Sequence, residues 1–181
     1  MSVEGFEKTE FAATEDAPAA TEHPASPLAN LRARREAALA ELFLDLAVPN
    51  YLDELGVDLY VRFKPLPIST STRLVEQARK SKSAERFANA NAAALAAATV
   101  GIYYVHEGRE VAFADGAPDE SAEWPSFDES VAKLIGVAYV SPSALVRELY
   151  FTDEQVAATV TELQRWSEGE IRQRTKDERG N

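Results

Sequence analysis

VDLYVRFK, residues 57–64, alternates apolar and polar side chains without a break: Val57, Leu59, Val61 and Phe63 fall on one side, Asp58, Tyr60, Arg62 and Lys64 on the other. That period of two is the pattern of a half-buried strand. Pro65 and Pro67 stop it, because proline has no N–H to give to a sheet ladder. Upstream, residues 43–48 read as extended up to Pro49, and the turn-like segment 50–56 joins them to the strand. Further back, Leu31, Arg35, Ala38, Leu39, Leu42 and Leu46 recur at three- and four-residue spacing behind Asn30, a cap residue, which predicts a short amphipathic helix.

Downstream, the Ser69 to Thr72 cluster opens a helix with Leu74, Val75 and Ala78 on its apolar side. Its basic end, Arg79, Lys80 and Lys82, suits the negative end of the helix dipole. Ser83 then caps a longer helix to about Thr99 in which Phe87, Asn91, Ala94, Leu95 and Ala98 share a stripe. Alanine supplies helix propensity but little apolar area, so such a face packs closely against a neighbour or a partner. Residues 100–106 and 110–114 are strand-like around a glycine-containing turn at 107–109. A polar loop, 115–125, carries Trp124 at its end. Ser126 and Glu129 form a capping-box pattern ahead of Val131, Leu134 and Ile135, with Gly136 as the stop. Ser141 and Pro142 start a helix through about Tyr150. Thr152 and Gln155 make a second capping-box pattern for a last helix with Val156, Val160, Leu163 and Trp166 at helical spacing. Beyond Ser167, four acids, four bases and the lone apolar Ile171 predict fraying.

The expected fold class is therefore α+β: a mostly helical single domain with a small antiparallel sheet from one or two β-hairpins, spanning residues 30–167. It is flanked by tails: an acidic arm, 1–29, that reads as disordered, and a charged flexible end, 168–181. A chain of 181 residues has room for one such domain and not for two of full size. No internal repeat is present.

Composition excludes more chemistry than it offers. With 30 acidic against 19 basic side chains the formal charge is −11, the wrong sign for generic binding to nucleic acid or to an anionic membrane. The arm has neither the basic start nor the apolar run of a secretory signal. The Ala-rich stretch 88–105 reads as a helix followed by a strand rather than a span. No cysteine exists to form disulfides, thiolate zinc sites or a thiol nucleophile, which suits a reducing cytoplasm.

His106 beside Glu107 is the one candidate acid/base pair, but neighbours on a strand point to opposite faces. His23 lies in the arm. The cluster Asp115, Asp119, Glu120 and Glu123 lacks the ligand order of a calcium loop and is interrupted by Pro118. No G-x-S-x-G, S-x-x-K or P-loop pattern appears, so no catalytic, cofactor-binding or metal site is assigned. Positive charge concentrates at Arg73, Arg79, Lys80, Lys82 and Arg86, a solvated face or a dock for an acidic partner or for the chain's own acidic arm. Aromatic residues gather in the second half, as core or as interface anchors. The expected partner-binding surface is drawn from these groups: Arg73, Arg79, Lys80, Phe87, Leu95, Trp124, Tyr150 and Trp166.

The order of the pieces carries a resemblance. LDLAVPNYLDELGVDLYVRFKPLP, then a basic helix, then ERFANANAAALAAATVGIYYVHEGREVAF, FDESVAKLIGV and SALVRELYFTDEQVAATVTELQRWS, over residues 43–167, resembles the tail assembly chaperones of long-tailed bacteriophages of actinobacterial hosts. In that family a V-R-[FY]-[KR]-P-like strand end precedes a helix, an Asn-Ala-rich helix leads into a G-[IV]-Y strand, and a V-R-x-L-[YF] helix precedes a last helix ending near Trp. The resemblance implies a non-enzymatic protein of the host cell cytoplasm, without cofactors. It would bind the tape measure protein, keep it soluble and help recruit tail tube subunits. It also implies a longer form of the same chain made by ribosomal frameshifting. A homo-oligomer is a further partner expectation, separate from the resemblance. The family supplies no catalytic residues to carry over. The alternative reading is a virion structural protein, such as a minor tail or head-tail joining subunit; an enzyme rests only on His106 and the acidic loop.

Overall fold

The computed structural model describes residues 30, 33–34, 37, 39–49, 51 and 56–179. The acidic arm with His23, and Leu31, Arg35 and Ala38 of the first expected helix, lie outside the described residues; the described positions between 30 and 40 are helical. Nine elements follow. They are β1 (Leu44–Ala47), β2 (Leu59–Phe63), α1 (Ile68–Lys80), α2 (Arg86–Ala98), β3 (Thr99–His106), β4 (Arg109–Ala112), α3 (Glu129–Leu134), α4 (Pro142–Leu149) and α5 (Asp153–Arg179). The α+β class stands, with the strands joined into one antiparallel sheet ordered β1-β2-β3-β4. Leu46, at helical spacing with Leu42, belongs to β1 and pairs with Val61.

The alternation in β2 does what its period dictates. Leu59, Val61 and Phe63 are fully buried against the helices, while Tyr60 and Arg62 face the other side. Ile102 on β3 lies opposite Val61 and joins the same core. Above the sheet, α2 is the central helix and touches α1, α4 and α5. Its inward side chains are Ala92, Ala94, Leu95 and Ala98, so the neighbouring helices approach closely. The core is completed by Val131 of α3, Leu145, Val146 and Leu149 of α4, and Val156, Val160 and Leu163 of α5. Burying one such side chain contributes about 1.5–3 kcal/mol relative to leaving it in water.

Local signals position the ends. Glu107 and Gly108 both take positive φ, 50° and 78°, and close the β3–β4 hairpin. Gly136, at φ 74°, follows α3 as expected. The cap of α3 is Asp128, not Ser126: its carboxylate accepts from the amides of Ser130 and Val131 and from the Ser130 hydroxyl, and the Ser126 amide also donates to it. A carboxylate that close to several donors outcompetes a hydroxyl. Ser141 caps α4 through the Ala144 amide, with Pro142 at its start. Thr152 accepts from the Gln155 amide, but the return half of that box is unmade, because the Thr152 amide donates to the Tyr150 carbonyl at 2.6 Å. Gln155 Oε1 is left buried without a partner.

The last helix does not stop near Ser167. It runs to Arg179, and Ser167 itself is buried, its hydroxyl donating to the Leu163 carbonyl at 2.7 Å. Gln164, Glu168 and Ile171 line a cleft against Leu66 and the start of α1, which gives residues expected to fray a surface to lie on.

Candidate functional site

Two surfaces stand out: a groove between α1 and α2, and the outer face of the sheet. In the groove, α1 contributes Leu74, Gln77 and Ala78, and α2 contributes Arg86, Ala90 and Ala93, around a cavity of about 210 Å³. The reason is the i, i+4 spacing on both helices, which brings small side chains to the seam and leaves a trough rather than an interdigitated contact. Arg73, Gln77 and Lys80 follow one another at i, i+4 and i+7 along its α1 edge. Arg73, Arg79, Lys80 and Lys82 are exposed and make no ion pair among the described residues. Arg86 holds the Ser83 carbonyl and lies 5.0 Å over the ring of Phe87, itself half exposed. Val75, also exposed, adds apolar surface on α1.

The outer sheet face is built differently. The Ile102 amide donates to the Pro125 carbonyl at 2.8 Å where β4 has ended, so the 115–125 loop folds back along β3. That return lays Trp124 over Gly101 and stacks it on Tyr103 with ring centroids 4.4 Å apart; Tyr103 stacks in turn on Tyr60 at 5.4 Å. The Arg62 guanidinium lies 4.6 Å over Trp124 and 5.2 Å over Tyr103. Asp45 grips it from β1 with bonds of 2.7 and 2.9 Å, and Glu110 from β4 at 2.9 Å. These two carboxylates hold Arg62 charged more firmly than usual, Asp45 most of all, against the opposing effect of burial. Burial, with Asp45 and Glu110 nearby, pushes the Tyr103 phenol up to about 12. Every charge here is answered from within the fold, so the cluster ties the four strands together rather than offering a free site.

The residues expected at a partner surface separate accordingly. Arg73, Arg79, Lys80 and Phe87 are exposed on α1 and α2, none of them lining the groove, and Arg79 lies on the opposite side of α1 from Gln77. Leu95 and Tyr150 do not reach the surface: both are fully buried, Leu95 on the inward side of α2 and Tyr150 at the end of α4. Spacing shows that residues share a stripe, not which stripe faces inward. Burial also raises the Tyr150 phenol well above its ordinary value, with Thr159 opposing. Trp124 belongs to the far side of the sheet, and Trp166 is half-buried against the core. Sequence reading missed the groove floor, Ala90 and Ala93, whose only signal was the run of alanines.

The remaining candidates lie apart. His106 is exposed at the end of β3 with Tyr104 edge-on at 6.5 Å, and no contact joins it to Glu107. In the acidic loop, Asp119 accepts from the Ser121 amide and hydroxyl, and those bonds hold its carboxyl below the usual range. Glu120 pairs with Arg109. Among the described residues no group of three or more His, Cys, Asp or Glu is placed to hold a metal ion, and no helix is long and apolar enough to cross a membrane.

Comparison with known proteins adds no relative: no family model, no curated protein and no solved structure matches the chain.

Proposed function

We propose that this chain is a tail assembly chaperone of a long-tailed bacteriophage, a binding protein that holds the tape measure protein in solution in the host cytoplasm and helps recruit tail tube subunits. The observation that carries the reading is the α1–α2 groove. A trough floored by Ala90 and Ala93, beside a helix that exposes Arg73, Arg79 and Lys80 without ion pairs among the described residues, suits an amphipathic helix that presents acids beside one or two apolar anchors. The chain's net charge of −11 keeps a loaded complex dispersed by self-repulsion. The phage assignment itself is supported by the order of sequence pieces over residues 43–167.

Co-expression with the tape measure protein of the same genome tests it. The soluble fraction of the tape measure protein is expected to rise and the two chains to co-purify. No gain with both chains expressed counts against the proposal. Abundant peptides of this chain in purified virions would favour a structural subunit instead.

A further inference from the structure

β1 is an edge of the sheet, and the phase of its hydrogen bonds fixes what that edge offers. The Val48 amide donates to the Leu59 carbonyl at 2.7 Å, so the alternation of an antiparallel ladder makes Leu46 with Val61 and Leu44 with Phe63 the bonded pairs toward β2. The Lys64 amide, in the opposite phase of β2, donates to the Ala98 carbonyl on the β3 side, as the same alternation requires. Asp45 and Ala47 therefore direct their N–H and C=O groups away from the sheet, and among the described residues no backbone group bonds to them there. Such a row of donors and acceptors is a template for one more strand.

The side chains along this edge match a second copy of the same strand. Phe43, Asp45, Ala47 and Pro49 share the outer face, and Phe43 is 47% exposed. When two β1 strands run antiparallel about Leu46, Asp45 of each faces Ala47 of the other and Phe43 faces Pro49. Both outward-pointing residues then meet in bonded pairs, an exposed ring covers a proline, and no charge stands directly opposite its like. Asp45 brings no free charge to the junction, because Arg62 already holds it with bonds of 2.7 and 2.9 Å. On the inner face, half-buried Leu46 lines a cleft of about 380 Å³ with Ala158 and Thr159 of α5, room for the Leu46 of a second copy beside its twin. Pro49, with no N–H to give, ends the ladder there and keeps the contact short.

We propose that the chain associates as a symmetric dimer through β1, the two sheets joining edge to edge into one of eight strands with Leu46 at the twofold axis. The contact uses neither the α1–α2 groove nor a partner protein, so it stands or falls apart from the chaperone reading.

Sedimentation equilibrium of the full chain should show a mass that rises with concentration to twice that of one chain. Ala47→Pro, which removes one outward N–H from each copy, should weaken the association about tenfold. The position of the contact is read by cross-linking, because the chain has no cysteine of its own. Facing residues of a non-bonded pair have Cα atoms about 4.5 Å apart, within reach of a disulfide, whereas the two copies of Leu44 would lie about 13 Å apart along the strands. With oxidised glutathione, Leu46→Cys is therefore expected to yield a linked dimer about tenfold faster than Leu44→Cys, a control on the same face and equally half-buried. A chain that stays monomeric at about 0.1 mM, where so small a contact of micromolar affinity is populated, would overturn the proposal. So would a dimer that both cysteines link at equal rates, or one that a folded Ala47→Pro leaves unchanged. The mass of the parent chain and the two cysteine variants decide the matter even if Ala47→Pro fails to fold.

Discussion

Trp124 occupies the space that a side chain on residue 101 would need: a Cβ built there lies 2.5 Å from the Trp124 Cβ. Glycine at 101 is therefore a packing requirement of the loop that brings Trp124 back over β3. Gly101→Ala should displace the indole, destabilise the domain by about 1–3 kcal/mol as overpacking does, and shift the tryptophan emission toward that of exposed indole. Asp128 offers a second residue-scale test. Burial would raise its carboxyl, but the bonds from Ser130, Val131 and Ser126 win and hold it below 3.8. A depressed folded value means that the contribution is present above the unfolded value and lost as pH falls through the folded one. Asp128→Ala should cost about 1 kcal/mol in urea unfolding at pH 7, as loss of a cap does. The gap between variant and parent should narrow below pH 3.8. Tyr103 runs the other way. A phenol raised to about 12 should titrate late in ultraviolet absorbance, and Tyr103→Phe should remove one late step.

At the scale of elements, what was legible depended on how local the cause was. The alternation of β2, the prolines after it, the Gly108 hairpin and the Ser141-Pro142 start are each written within a few residues, and each took the expected form. The outer sheet cluster was not legible, because it joins Asp45, Arg62, Tyr103, Glu110 and Trp124 from four strands and a loop. Arg62 reads from sequence as a solvent-facing strand residue, and only the register of β1 and β4 shows its carboxylates. The length of α5 escaped for a similar reason: its charged end looks unsupported until Leu66 and α1 are placed beside it. Arg147 shows the same kind of long-range tie. It bonds Asp153 at 2.8 and 3.0 Å, Glu85 at 2.7 Å and Asn89 at 3.1 Å, so one guanidinium joins α4, α5 and the start of α2. Asp153 is the main reason its charge is firmly held. Because the pairs are partly exposed, Arg147→Ala should cost about 1 kcal/mol in chemical denaturation. Arg147→Lys should recover only part of that, since an ammonium cannot match the two-point grip on Asp153.

Across the whole molecule, charge is divided rather than uniform. The first 29 residues sum to −5, residues 168–181 to zero and the domain between to −6, yet that domain exposes Arg73, Arg79, Lys80 and Lys82 without ion pairs among the described residues. The sheet's outer face answers its own charges; Arg73, Arg79 and Lys80 of α1 do not. That asymmetry makes the proposed chaperone role testable by charge alone. The decisive measurement is co-purification of the tape measure protein with the intact chain and with its Arg73→Glu, Arg79→Glu, Lys80→Glu variant, both verified as folded by far-ultraviolet circular dichroism. The account predicts a soluble complex with the parent chain and its loss with the charge-reversed one. A tape measure protein that stays insoluble with both, or binds both equally well, would contradict it.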